Sequence, residues 1–138
     1  MPNVSQERSG WRDSKLSLRH RLWGWDCPAV DIDFLMIEYN HCRAVTLVEY
    51  KHELAAPILP TNPSIRAIID LADRAGLPAF IVRYAADLSW WRVAPLNHRA
   101  ADYLPERRLM SEREYVALLY RIRGMAIPAE VYAAIGSP

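Results

Sequence analysis

The chain has little of what usually declares a function outright. Its 138 residues include two cysteines, Cys27 and Cys42. That is too few for a disulfide framework, and a reducing cytoplasm is the expected compartment. Neither sign of charge is in excess: 17 Lys and Arg stand against 16 Asp and Glu, a formal net charge of +1. A global pull toward DNA or a lipid surface is therefore excluded, and any nucleic-acid surface has to be a local patch. No apolar run approaches the length of about 20 residues that a membrane-spanning helix requires. The first stretch, MPNVSQERSGWRDSK, has no apolar core and does not read as a signal peptide. Residues 1–15 are polar and expected to be loose. Repeats and low-complexity segments are absent.

What is present is the composition of one soluble domain, residues 1–138. With 51% hydrophobic and 24% charged residues, the chain can bury a sizeable core. A basic-aromatic stretch, Leu18 to Trp25, leads to two strand candidates over 30–39 and 44–51, joined by a polar turn around Asn40-His41-Cys42-Arg43. Ile32, Phe34 and Met36 alternate with Leu35 and Ile37, and Val48 and Tyr50 with Val45 and Leu47. Strands apolar on both faces are covered on both sides, which predicts α/β layers rather than a half-exposed sandwich. Asn62 as N-cap, Pro63 at the first helical position, and Gly76 with Pro78 beyond the end bracket a helix. Residues 79–84 and 90–94 read as a third and a fourth strand. Ser111-Glu112-Arg113-Glu114 is a capping box opening a second helix over 111–123, with Gly124 as its stop. A last short helix is expected over 128–135. The predicted fold is a central mixed sheet of about four strands flanked by helices.

Charged residues inside those strands call for an explanation, since such groups are almost never fully buried unless paired or bound to metal. They are Asp31 and Asp33 in the first strand, and Glu49 and Lys51 in the second. Residues two apart project from one face of a strand, about 7 Å apart. Whether the acids of the two strands meet depends on loop parity. A three-residue loop at 40–42 pairs Asp33 with Glu49 and Asp31 with Lys51; one at 41–43 pairs Asp33 with Lys51. A two-residue loop at His41-Cys42 opposes Asp33 and Tyr50 and splits the carboxylates between faces. An odd loop, or a bulge that restores the parity, is expected. Carboxylates so placed can hold Mg²⁺ (or Mn²⁺), with Asp33 (or Asp31) and Glu49 as ligands. Such a metal polarises a phosphate and activates a bound water, while Lys51 orients or deprotonates that water.

This arrangement resembles the PD-(D/E)XK nuclease superfamily, which includes restriction endonucleases and Holliday-junction resolvases. In that family an acid in one strand is followed by an acid-x-Lys tripeptide in the next, then by a helix and a further strand. Asp33 (or Asp31), Glu49 and Lys51 match, over roughly residues 17–85. The proline of the family's name is absent, since Val30 precedes Asp31 and Ile32 precedes Asp33. Ser17-Leu18-Arg19-His20-Arg21 is similar to the S-x-H-R element of small phage-type and bacterial relatives, with one extra residue. The resemblance implies a restriction endonuclease-like core and metal-dependent hydrolysis of DNA, with His20 and Arg21 contacting the scissile phosphate. A domain of this size has little surface for reading a long sequence. Structure-selective cutting, or work within a homodimer or a larger phage or mobile-element assembly, follows more readily than free restriction.

Other readings compete. The acids and Lys51 could form a solvated cross-strand ion pair, contributing roughly 0–1 kcal/mol, or the fold could serve as a non-catalytic binding module. His20 and Arg21 could simply be polar residues near a strand edge. Cys27, His41, Cys42 and His52 fit no common zinc spacing. His98 reads as a surface residue, and Tyr50, Trp90 and Trp91 as mainly core. Arg107, Arg108, Arg113, Arg121 and Arg123, interleaved with glutamates, read as a solvated helix flank.

Overall fold

The computed structural model describes residues 14–24 and 30–135. The expected loose start up to residue 13 lies outside the described residues, and so does Cys27. The chain divides into two compact units, Met1–Asp31 and Ile32–Pro138. The first contributes helix α1 (Ser14–Leu22), where the sequence predicts only a basic-aromatic stretch. His20 lies near the end of α1, its ring 4.6 Å from that of Trp23.

The second unit runs β1 (Phe34–Glu38), β2 (Arg43–His52), α2 (Pro63–Ala75), β3 (Ala79–Tyr84), β4 (Trp91–Pro95), α3 (His98–Tyr103), β5 (Arg108–Met110), α4 (Glu112–Ile122) and α5 (Ala129–Ala134). The sheet has five strands in the order β1-β2-β3-β4-β5. Only the β2–β3 pair is parallel. The architecture is thus α/β with a mixed central sheet flanked by helices, as the sequence predicts. The expected four strands become five because β5 was not anticipated, and α3 was likewise missed. Both are too short to show a periodicity of their own.

Parallel strands need a crossover, and α2 supplies it between β2 and β3. Its ends are punctuated as expected. The Asn62 side chain accepts a hydrogen bond from the Ser64 amide at 2.9 Å, and Gly76 closes the helix in the left-handed region at φ 72°. Such a φ suits glycine, which has no Cβ to clash. α2 lays Ile68 and Ala72 against Leu47 and Ala79 on one face of the sheet. Val48, Phe80, Val82 and Val93 point the other way, where they meet Ala100, Leu104, Met110, Tyr115 and Leu118. Each of those four sheet residues is at most 2% exposed, and burying such a side chain stabilises by roughly 1.5–3 kcal/mol. α4 carries its complete capping box: Ser111 Oγ accepts from the Glu114 amide, and the Glu114 carboxylate accepts from the Ser111 amide.

Asn97 ties the turns together. Its Oδ1 accepts from the amides of Ala79 and Ala100, each at 3.0 Å, and its Nδ2 donates to the Leu77 carbonyl at 2.8 Å and to Asp73 Oδ1 at 3.0 Å. One side chain thereby joins the end of α2, the start of β3 and the N-terminus of α3.

β1 corrects the expectation of cover on both faces. Phe34, Leu35 and Ile37 are 53, 48 and 45% exposed, because β1 is the edge strand.

Candidate functional site

Strand register decides whether the acids meet. None of the short loops considered from sequence occurs: Glu38 pairs with Arg43 across a four-residue turn, 39–42. The Glu38 carboxylate organises that turn by accepting from the amides of Asn40 and His41, at 3.1 and 2.7 Å. Continued unchanged along the hairpin, this pairing would set Asp33 opposite Val48, on the face of the α4 core. It does not continue. Ile37 pairs with Ala44, but Met36 pairs with Thr46, leaving Val45 as the extra residue of a β-bulge. Phe34 then lies opposite Val48, the last pair of the ladder, and Asp33 immediately precedes it. The bulge thus shifts the β1–β2 pairing by one residue between Ile37 and Met36.

Asp33 is not a strand residue, as the sequence had it; it sits in the bend just before β1. Its Oδ2 accepts a hydrogen bond from the Tyr50 amide at 3.0 Å. That bond fastens the carboxylate to β2 between Glu49 and Lys51. Glu49 is only 8% exposed, on a strand hydrogen-bonded on both sides. Lys51 is half-buried and, by alternation, on the same face. Asp31 also lies outside any strand, so the shared strand face expected for the two aspartates is not formed. It belongs to the N-terminal unit, with α1, which carries His20 and Arg21.

Three cations outside the predicted site gather near Lys51. β3 and β4 place Arg83 beside Lys51 and Arg92 beside Arg83 in one rank across the sheet. Together with Arg107, these residues line a cavity of about 330 Å³ whose remaining walls include Ile65, Ile81 and Leu96; none of its lining residues is acidic. Arg83 is committed to structure, donating to the carbonyls of His52 at 3.0 Å and Ala55 at 2.8 Å. The Arg92 guanidinium lies 5.4 Å over the Trp90 ring, a cation–π contact that holds it in place. The signal for Arg83 and Arg92 was available: each interrupts a strand run, as Glu49 and Lys51 do. Arg107 and Arg108 are not on the helix flank assigned to them. Arg107 lies in the loop before β5, and Arg108 is in β5, where its Nη2 pairs with Glu114 at 2.6 Å.

The opposite face is structural. The Tyr50 hydroxyl lies 2.5 Å from that of Tyr115, and Trp91 stacks on Tyr115 at 5.2 Å. Burial raises the pKa of both phenols above the ordinary 10.0. His98, His41 and Cys42 are exposed. Among the described residues no three His, Cys, Asp or Glu side chains gather at a spacing that would hold a metal ion. No helix among them is long and apolar enough to cross a membrane. No protein-family model, curated protein or solved structure matches this chain.

Proposed function

We propose that this protein is a metal-dependent DNA endonuclease of the PD-(D/E)XK kind. One observation carries the reading: the Asp33 carboxylate is bound to the backbone of the strand that presents Glu49 and Lys51 on one face. The order of elements after Lys51, a crossover helix and then a strand parallel to β2, agrees with the family pattern.

Two carboxylates suit Mg²⁺ or Mn²⁺, which take oxygen ligands and are completed by waters and substrate phosphate; a thiol- or imidazole-seeking ion would find no such ligands on this face. Bound there, the ion would supply Lewis-acid polarisation of the phosphate and a more acidic water. Asp33 and Glu49 would hold it, with the Tyr50 amide fixing the direction of Asp33. Lys51 would orient the attacking water or offset negative charge as it gathers on the phosphate. Arg92 and Arg107 would keep the strand against this face.

The test is nicking of plasmid and branched DNA with Mg²⁺ or Mn²⁺. Cleavage should stop in EDTA and fall about 10²- to 10³-fold in Lys51→Ala. Calorimetry should show Mn²⁺ binding to the native chain and not to Glu49→Gln. Absence of both cleavage and metal binding in the native chain would overturn the proposal. A second reading, a catalytically silent module that binds nucleic acid, draws on the cation-lined cavity, which needs no metal.

A further inference from the structure

We infer that the cavity bounded by Lys51, Arg83, Arg92 and Arg107 is a phosphate pocket. It takes the phosphoryl group of one nucleotide of a single strand, with sugar or base against its apolar wall. The inference rests on the nucleic-acid reading above, but not on cleavage. Four cations and no acid line about 330 Å³, although the chain as a whole is nearly neutral. Like charges gathered in a concave, partly apolar site focus their field there and favour an anion.

The four cations do not act alike. Arg83 spends its guanidinium on the 52–56 carbonyls, so it shapes the wall and adds charge. Lys51 and Arg107 make no hydrogen bond or ion pair among the described residues, and Arg92 is steadied by the Trp90 ring without a carboxylate partner. Those three are placed to donate to phosphate oxygens. The other wall, with Ile58, Ile65, Ile81 and Leu96, offers apolar contact to a sugar or base edge. The volume suits a single nucleotide and excludes a duplex, so the strand entering it is single or splayed open. Lys51 belongs both to this cavity and to the face carrying Glu49, so the bound phosphate would lie next to the acids.

The experiment measures binding of fluorescent single-stranded oligonucleotides, with and without a 5′-phosphate, by anisotropy in EDTA, so that no cleavage intervenes. The native chain should bind, and Arg92→Gln/Arg107→Gln should bind at least tenfold more weakly, since a charged hydrogen bond lost at each position is worth that much. The dependence of log affinity on log salt should become shallower by up to about 0.7 in that variant, the contribution of one phosphate of a single strand. Preference for the phosphorylated oligonucleotide would identify a strand end as the source of the phosphate; equal binding would identify an internal phosphodiester. Inorganic phosphate and a mononucleotide, added as competitors, should displace the oligonucleotide. Failure of the native chain to bind, or unchanged binding in the double variant with an unchanged melting temperature, would overturn the inference. Oligonucleotide binding in EDTA that persists where cleavage and Mn²⁺ binding are both absent would leave this inference standing without the nuclease reading, so the two failures remain distinguishable.

Discussion

Asn97→Ala tests whether the turn network built on this side chain is a source of stability. The substitution removes both acceptor bonds and both donor bonds of the amide. Loss of the cap on α3 costs about 1 kcal/mol. The Ala79 amide and the Leu77 carbonyl, both part-buried at these bonds, each lose a partner at a further cost of about 1 kcal/mol. Asp73 is exposed, and water replaces its bond. A loss of about 3 kcal/mol is therefore expected. With an unfolding entropy of about 2.1 cal/mol/K per residue, a chain of 138 residues would melt about 10 °C lower. Asn97→Asp keeps both acceptor bonds and forfeits both donors, so about a third of that loss is expected near neutral pH for the Leu77 carbonyl, with a smaller, solvent-screened repulsion from the exposed Asp73 carboxylate added to it. Urea unfolding at constant pH measures both, and the slope should be unchanged if only the native contacts are affected. Asn97→Ala within 1 kcal/mol of the native chain, or Asn97→Asp as damaging as Asn97→Ala, would refute the account. The neighbouring Leu96 lines the cavity and packs beside Leu47, so loosening here should also weaken oligonucleotide binding.

Ser111→Ala removes one half of the α4 capping box and should cost about 1 kcal/mol in urea unfolding. The amide of Ser111, ahead of Arg108, holds the Glu114 carboxyl below its ordinary range. That contribution is present above the unfolded carboxylate pKa and lost as pH falls, and an acid limb identical with and without Glu114→Gln would contradict it. Tyr50 and Tyr115 titrate in the opposite sense. Burial raises both in the folded state, so their contribution is complete below the unfolded phenol pKa of about 10 and lost as pH climbs beyond it. Urea midpoints measured at increasing alkalinity should fall steadily above about pH 10, and a flat profile there would exclude coupling between these phenols and folding.

The helices and strands with local punctuation were legible because their causes are local. Asn62-Pro63 with Gly76, and Ser111 with Glu114, satisfy backbone groups within one turn of themselves. The alternating apolar residues of β2 and β3 carry their burial in their own periodicity. β5 and α3 were not legible. β5 forms because β4 offers a pairing edge, and α3 starts where Asn97, bonded to distant backbone, also caps a helix. β1 read as covered on both faces because alternation reports side-chain character and not what neighbours it.

The sequence by itself determined which side chains could do chemistry, Asp33, Glu49 and Lys51 among them, and that Glu49 and Lys51 share a strand face, since alternation is a property of any extended chain. Only the tertiary structure decided that the Asp33 carboxylate is fastened to the Tyr50 amide between them, and that one unpaired residue at Val45 shifts the β1–β2 register. It also decided that Lys51, Arg83, Arg92 and Arg107 border one cavity. These four come from three strands and a loop, and only sheet pairing and helix packing, summed over residues far apart in the chain, bring them to one place.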